Sequence, residues 1–320
     1  MPISEKSLIR RIRRIAGRGP AVVTGIGDDA AVLRIPAGHE LLVTTDFSIE
    51  DVHFRREWHR PQVVGWRCLT RGLSDIAAMG GEPLAAFLSL ALAGDVPQKW
   101  VDGFLKGLMD LASRHNVPLA GGDTAQSTGG IQADIVVIGS VPKGKAVLRS
   151  GARPGEHIYV TGDLGAAAMA LAELRDGKTP GAASAKHFRP EPRLAVGRWL
   201  REKRIPSAMI DISDGLSTDL AHICEESHVG AELDAAAIPR ARCGRGKKHF
   251  VELHYALHGG DEYELLFTSS RRVPEKIDGV RVTAIGHTTA SPRMRLKDEK
   301  GKIVKLAVQG WEHFKDRVVG

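Results

Sequence analysis

Seven aspartates sit beside glycines or small polar residues in this 320-residue chain, whose net charge is +7. They occur in Gly27-Asp28-Asp29, Thr44-Thr45-Asp46, Leu73-Ser74-Asp75, Gly121-Gly122-Asp123-Thr124 and Asp211-Ile212-Ser213-Asp214-Gly215. Carboxylates in short, small-residue turns have no bulk to keep a ligand away. Brought together, they repel one another unless a cation stands between them. Hard divalent cations with oxygen ligands answer that need, and Mg²⁺ with a nucleotide polyphosphate is the common pairing.

The rest of the chain narrows the class. Its length allows two domains. Aromatic residues make up 5%, too few for a base-stacking platform. The pI near 9.4 fits a basic surface that attracts small anions, and no nucleic-acid motif accompanies it. Cys68, Cys224 and Cys243 lie far apart, without metal-site or disulfide spacing. No apolar run reaches the length of a membrane span. Arg10, Arg11, Arg13 and Arg14 are followed by no apolar segment of a secretory leader. The expectation is a cytoplasmic protein without membrane or nucleic-acid partners.

Periodicity predicts an α/β (α+β) chain of two domains, 1–142 and 143–320, joined by a Gly/Pro/Lys-rich stretch from Pro142 to Gly155. Helices are expected over Ser4–Ala16, Pro61–Met79 and Pro97–His115, with strands over Glu40–Phe47, Pro83–Leu92 and Ile131–Val141. Leu8, Ile9, Ile12 and Ile15 mark the inner face of the first helix, and its arginines a solvated outer face. A short strand, Val117–Ala120, is expected to end at Gly121-Gly122-Asp123, the place where ligand sites gather in α/β sheets. In the second half, Ala208–Ile212 reads as a strand and Gly215–Ser227 as a helix. Asp214 then reads either as a helix cap or, with Asp211 and Ser213, as part of a metal and phosphate site. No Walker A or protein-kinase motif set is present.

The ordered motifs resemble the thiamine-monophosphate kinase family of the aminoimidazole ribonucleotide synthetase-like superfamily. They run Gly-Ile-Gly-Asp-Asp-Ala-Ala, Thr-Thr-Asp, Val-His-Phe, Leu-Ser-Asp-Ile-Ala-Ala-Met-Gly, Gly-Gly-Asp-Thr, Leu-Arg-Ser-Gly, Val-Thr-Gly-Asp-Leu-Gly, Asp-Ile-Ser-Asp-Gly-Leu and Tyr-Glu-Leu. The resemblance implies phosphoryl transfer from ATP to thiamine monophosphate, with several Mg²⁺ ions. It also implies a homodimer joined through N-terminal sheets. By position it makes Asp29, Thr44, Thr45, Asp46, Asp75, Asp123, Asp211 and Asp214 the metal ligands. Gly122, Asp123, Arg149 and Ser213 become ATP contacts, and His53, Asp261 and Trp311 substrate contacts. One departure stands out: the family pattern Gly-Glu-Asp-Tyr-Glu-Leu is here Gly260-Asp261-Glu262-Tyr263-Glu264-Leu265. The substrate-contact position therefore holds an acid one methylene shorter.

Overall fold

The computed structural model describes residues 5–181, 184–243 and 249–314. The chain divides into two compact units, 1–146 and 147–320.

The first unit is a four-stranded sheet with two long helices. Helix α1 (Glu5–Ile15) and the short strands β1 (Val22–Thr24) and β2 (Val32–Leu33) precede β3 (His39–Ile49). Then follow α2 (Pro61–Ala78), β4 (Glu82–Ala93), α3 (Gln98–Arg114), β5 (Leu119–Ser127) and β6 (Gln132–Pro142). Ser4, the expected start of α1, lies outside the described residues. The sheet order is β3-β6-β4-β5, antiparallel except for the parallel pair β4 and β5. Pro61 opens α2, where its missing N–H costs nothing. Helices α2 and α3 meet backbone to backbone. A Cβ at Gly65 would stand 1.9 Å from the Phe104 carbonyl oxygen, and one at Gly107 1.8 Å from that of Gln62. The other face of α2 rests on the sheet, with Leu69, Leu73 and Ile76 almost wholly buried.

Two expectations change here. Ile9 and Ile15 are exposed, and only Leu8 and Ile12 carry the inner face of α1. Gly121-Gly122-Asp123 does not end a strand, because β5 runs through it to Ser127. Gly122 takes φ +143, and a Cβ there would stand 1.8 Å from the Leu88 carbonyl oxygen. The pair of glycines lets β5 continue against β4 where any side chain would part them.

The second unit holds an eight-stranded sheet. Its path is β14-β13-β9-β12-β7-β10-β8, and β11 is added beside β12. The strands are β7 (His157–Thr161), β8 (Ala208–Asp211), β9 (Gly230–Asp234), β10 (Leu265–Ser269), β11 (Lys276–Ile277), β12 (Val280–Thr289), β13 (Met294–Lys297) and β14 (Ile303–Lys305). The helices are α4 (Ala166–Arg175), α5 (Ala185–Phe188), α6 (Leu194–Glu202), α7 (Leu216–Ser227) and α8 (Leu253–His258). Leu216, Leu220 and Ile223 of α7 pack with Ile158, Val160, Ile210, Leu266 and Ile285 of the sheet.

An ionic network is sealed beside this core. Glu264 is 1% exposed and receives Arg193 at 2.5 and 2.7 Å, Lys186 at 2.9 Å and the Thr161 hydroxyl at 2.5 Å. Burial pushes its carboxyl up, but Lys186 and Arg193 outweigh that and hold it down at about 2. Glu262 accepts the amides of Gly165, at 2.8 Å, and Ala167, at 3.2 Å, at the start of α4, and pairs with Lys186 at 2.8 Å. Removing one member strands the others in a medium that solvates them poorly. Glu264→Gln is expected to cost about 3–5 kcal/mol, read from urea denaturation; a change under 1 kcal/mol would show the network to be idle.

Candidate active site

In the first unit, strand alternation sorts the Thr-Thr-Asp motif. Thr44 and Asp46 lie on the side of the sheet that meets α2. Thr45 lies on the other, where its hydroxyl donates to Asp134 at 2.6 Å. Asp75, in the last turn of α2, accepts a short hydrogen bond from the Thr44 hydroxyl. Asp46 is pushed up to about 7, by burial first and by the charge of Asp75 next, with Arg71 pulling the other way. The structure thus gathers Thr44, Asp46 and Asp75, and leaves the side chain of Thr45 outside that group. His53, in the turn after β3, accepts the Ile49 amide on Nδ1 at 3.0 Å. That bond leaves Nε2 as the donor nitrogen of the neutral ring.

A second group lines a cleft of about 350 Å³ within the same unit. The loop Gly25–Ala31 forms one side and Gly121–Thr124 of β5 the other, with Ile9 and Ile12 of α1 and Phe87 and Leu88 of β4 supplying apolar wall. Asp28 and Asp29 are exposed on the loop, and the Asp28 carboxylate takes the Asp29 amide at 3.1 Å. The Asp123 carboxylate takes the Thr124 amide at 2.8 Å. The hydroxyl oxygen of Thr124 is buried in this wall with no partner among the described residues. Asp29, Gly122 and Asp123 therefore share one cleft, while Asp46 and Asp75 are not among its lining residues.

In the second unit, Asp211 ends β8 and is buried. The turn that follows is stitched by its carbonyls. Ile212 accepts the amide of Tyr263, at 2.8 Å, Ser213 that of Asp261, at 2.8 Å, and Asp214 that of Trp311, at 2.9 Å. Ser213, Asp214, Asp261 and Trp311 are thereby brought together from three distant segments. Gly215, not Asp214, is the cap residue of α7, and it has no side chain to bond the first turn. Asp219 does that work from inside the helix: its carboxylate accepts the amides of Asp214, at 3.2 Å, and Gly215, at 3.0 Å. Burial and the charge of Asp214 push Asp219 up to about 8, against those amides and Arg149. Arg149 is otherwise exposed and is tied to α7 through its carbonyl, which accepts the Ser227 hydroxyl at 3.1 Å.

The exchanged acidic pair is resolved by burial. Glu262 faces inward onto α4 and Lys186, whereas Asp261 remains half-exposed at φ +61 with its carboxylate bonded by the Tyr263 hydroxyl at 2.7 Å. Asp134, Asp219 and His222 were not picked out by motif. Asp214, Asp219 and His222 present possible ligand atoms all within 4.8 Å of one another. The signal for Asp219 was an acid one turn inside a helix that starts at glycine, close enough to reach back to the open amides.

The donor set is mostly hard oxygen: carboxylates, threonine hydroxyls and turn carbonyls. Burial first and the charge of Asp75 next raise Asp46 to about 7, and a divalent cation between the two carboxylates would relieve both costs.

Two family models match the chain: AIR synthase related protein, N-terminal domain, over residues 27–141, and its C-terminal domain over residues 153–299. The two units thus define an AIR-synthase-related protein. Thiamine-monophosphate kinase of Escherichia coli K12 is 37% identical, covering 98% of this chain and 99% of the relative. That of Bacillus subtilis 168 is 34% identical, covering 98% and 100%. Among solved structures, thiamine-monophosphate kinase from Stenotrophomonas maltophilia matches with a TM-score of 0.79 and 34% identity, covering 92% of this chain and 97% of the other. AaThiL complexed with AMPPCP and TMP matches with a TM-score of 0.76 and 28% identity, covering 97% of each. The chain belongs to the thiamine-monophosphate kinase family.

The burial of Asp46 beside Asp75 has a pH signature. The folded, metal-free chain keeps a proton on Asp46 up to about pH 7, which the unfolded chain releases near its ordinary value of 3.8. Stability therefore falls as pH rises through that window. In chelator, Asp46→Asn is expected to lose less melting temperature than the unaltered chain between pH 4.5 and 7.5. Equal losses would remove Asp46 as a source of the slope.

Proposed function

We propose that this protein transfers the γ-phosphoryl group of ATP to thiamine monophosphate, giving thiamine diphosphate and ADP. The observation that carries the reading is near-full-length similarity to thiamine-monophosphate kinases, in a chain that keeps the aspartate series. The acceptor is a phosphate monoester, ionised at neutral pH, so it needs no strong base. It needs relief from repulsion between two anions, and in-line positioning.

The chain's residues divide that work. Asp29 and Asp123 in the cleft, Thr44, Asp46 and Asp75 at the sheet–helix junction, and Asp211 and Asp214 after β8 are the proposed Mg²⁺ ligands. Thr45 belongs to the set only through its backbone, since its side chain lies on the opposite sheet face, beside Asp134. Bound Mg²⁺ would neutralise phosphate oxygens and the charge that develops between them. Gly122 brings backbone close to the nucleotide, and Arg149 and Ser213 donate to its phosphates. His53, in the turn after β3, is the proposed substrate contact of the first unit. Trp311, half-exposed and held to Asp214 by its amide, offers an indole face to the cationic thiazolium. Asp261 bears on the same substrate from the turn beside Ser213. Among the described residues no helix is long and apolar enough to cross a membrane, and we place the reaction in the cytoplasm.

The assembly is a homodimer. On β3, Leu41, Val43 and Phe47 alternate on the sheet face away from α2 and are 44%, 62% and 56% exposed. Three large exposed apolar side chains on one face of an edge strand, broken only by Thr45, call for a partner, and a second copy of the same strand supplies one. Val43→Glu is expected to convert dimer to monomer in sedimentation velocity; an unchanged boundary would remove β3 from the interface.

The activity is tested by following thiamine diphosphate with ATP, Mg²⁺ and thiamine monophosphate each omitted in turn. Product is expected only with all three. Asp75→Asn and Asp214→Asn are each expected to lower kcat at least about a hundredfold with the melting temperature retained. Product formed at the normal rate by both variants would end the metal-ligand assignment.

A further inference from the structure

Arg13 stands on α1, the helix whose Ile9 and Ile12 wall the cleft. Its Cζ, Nη1 and Nη2 atoms lie 2.6, 2.6 and 2.8 Å from the point where a Cβ on Gly27 would stand. An approach along the edge of the group would leave Cζ farther away than the two nitrogens. Three near-equal distances instead place the flat of the guanidinium over the glycine. Gly27 takes φ +124, so this position demands glycine twice, for the turn and for the group stacked upon it.

Stacking uses the face of a guanidinium and leaves its N–H donors, which lie in the plane, unspent. Among the described residues Arg13 makes no hydrogen bond or ion pair, whereas Arg11 on the same helix is held by Asp102 at 3.0 Å. Asp28 and Asp29, the neighbouring acids, do not take it up. The turn it covers lines a cleft whose wall combines Ile9, Ile12, Phe87 and Leu88 with Asp28, Asp29 and Asp123. An anion entering past Asp28, Asp29 and Asp123 meets three negative charges, and the exposed Arg13 cation stacked on Gly27 offsets part of that field.

We infer that Arg13 contacts a phosphate group of the Mg²⁺-nucleotide held by this cleft, through the open edge of its guanidinium. The nucleotide's identity rests on the function proposed above; the anion contact rests on the geometry of Arg13 and Gly27. Arg13 then adds a residue to the site from a helix whose arginines read, by sequence, as a solvated face.

The test is calorimetric binding of Mg-ATP without thiamine monophosphate, for the unaltered chain, Arg13→Gln, Arg13→Lys and Arg14→Gln. Arg13→Gln is expected to weaken Mg-ATP about tenfold or more, and Arg13→Lys to recover part of the loss. Arg14→Gln, which removes the same net charge from an exposed position, is expected to match the unaltered chain. In turnover, Arg13→Gln raises the KM for ATP and leaves that for thiamine monophosphate and the melting temperature in place. Equal weakening by Arg13→Gln and Arg14→Gln overturns the contact, as does a loss shared by both substrates and the melting temperature. Failure of the unaltered chain to make thiamine diphosphate would refute the proposed activity, while the binding comparison would still decide Arg13. Failure to bind Mg-ATP at all would overturn both.

Discussion

Carboxylates held where they cannot disperse are the constraint on which the rest of this structure depends. Asp46 comes from a strand and Asp75 from the helix packed on it, so neither can retreat without moving a core element. Thr44 fixes Asp75 from the strand side, and the buried stretch Leu69–Leu73–Ile76 fixes α2. Burial, with the repulsion of Asp75 added to it, leaves the folded chain with a proton that Asp46 gives up only near pH 7. A divalent cation would turn the same repulsion into binding free energy. The close contact of α2 and α3 at Gly65 and Gly107 is what makes the junction rigid enough to hold it.

The second unit meets a similar problem by another route. Asp219 is buried beside Asp214 and is pushed to about 8, yet two backbone amides of its own helix start hold it in place. Away from the turn, Glu262 and Glu264 are buried as fully, but Lys186 and Arg193 neutralise them. Paired carboxylates build the scaffold, and carboxylates left with like-charged neighbours mark where a ligand belongs.

The element series was legible in the sequence because apolar spacing and punctuation agree: Pro61 begins α2, and β3, β4 and β6 carry long runs of Leu, Val, Ile and Ala. The continuation of β5 through Gly121-Gly122 was not legible. Glycines read locally as a break, and only the Leu88 carbonyl facing Gly122 shows why they are needed inside a strand. Motif order pointed to Asp46, Asp75, Asp123 and Asp214, but not to which of them stand together. Grouping depends on strand alternation and on which helix turn meets which strand. Thr45 shows the limit, since it is adjacent to two clustered residues and lies on the opposite face.

The exchanged acids at 261 and 262 show how burial assigns roles that spelling does not. A site that binds substrate needs reach and solvent access, whereas a residue capping a helix start from within needs a length that fits its cavity. Glu262 spans from the turn to the Gly165 and Ala167 amides and still meets Lys186. An aspartate there would fall one methylene short of that double engagement unless the backbone moved. At 261 the Tyr263 hydroxyl holds the carboxylate, while the backbone amide, at positive φ, is bonded to the Ser213 carbonyl. The exchange thus leaves the longer acid on the buried scaffold and the shorter one on the half-exposed turn.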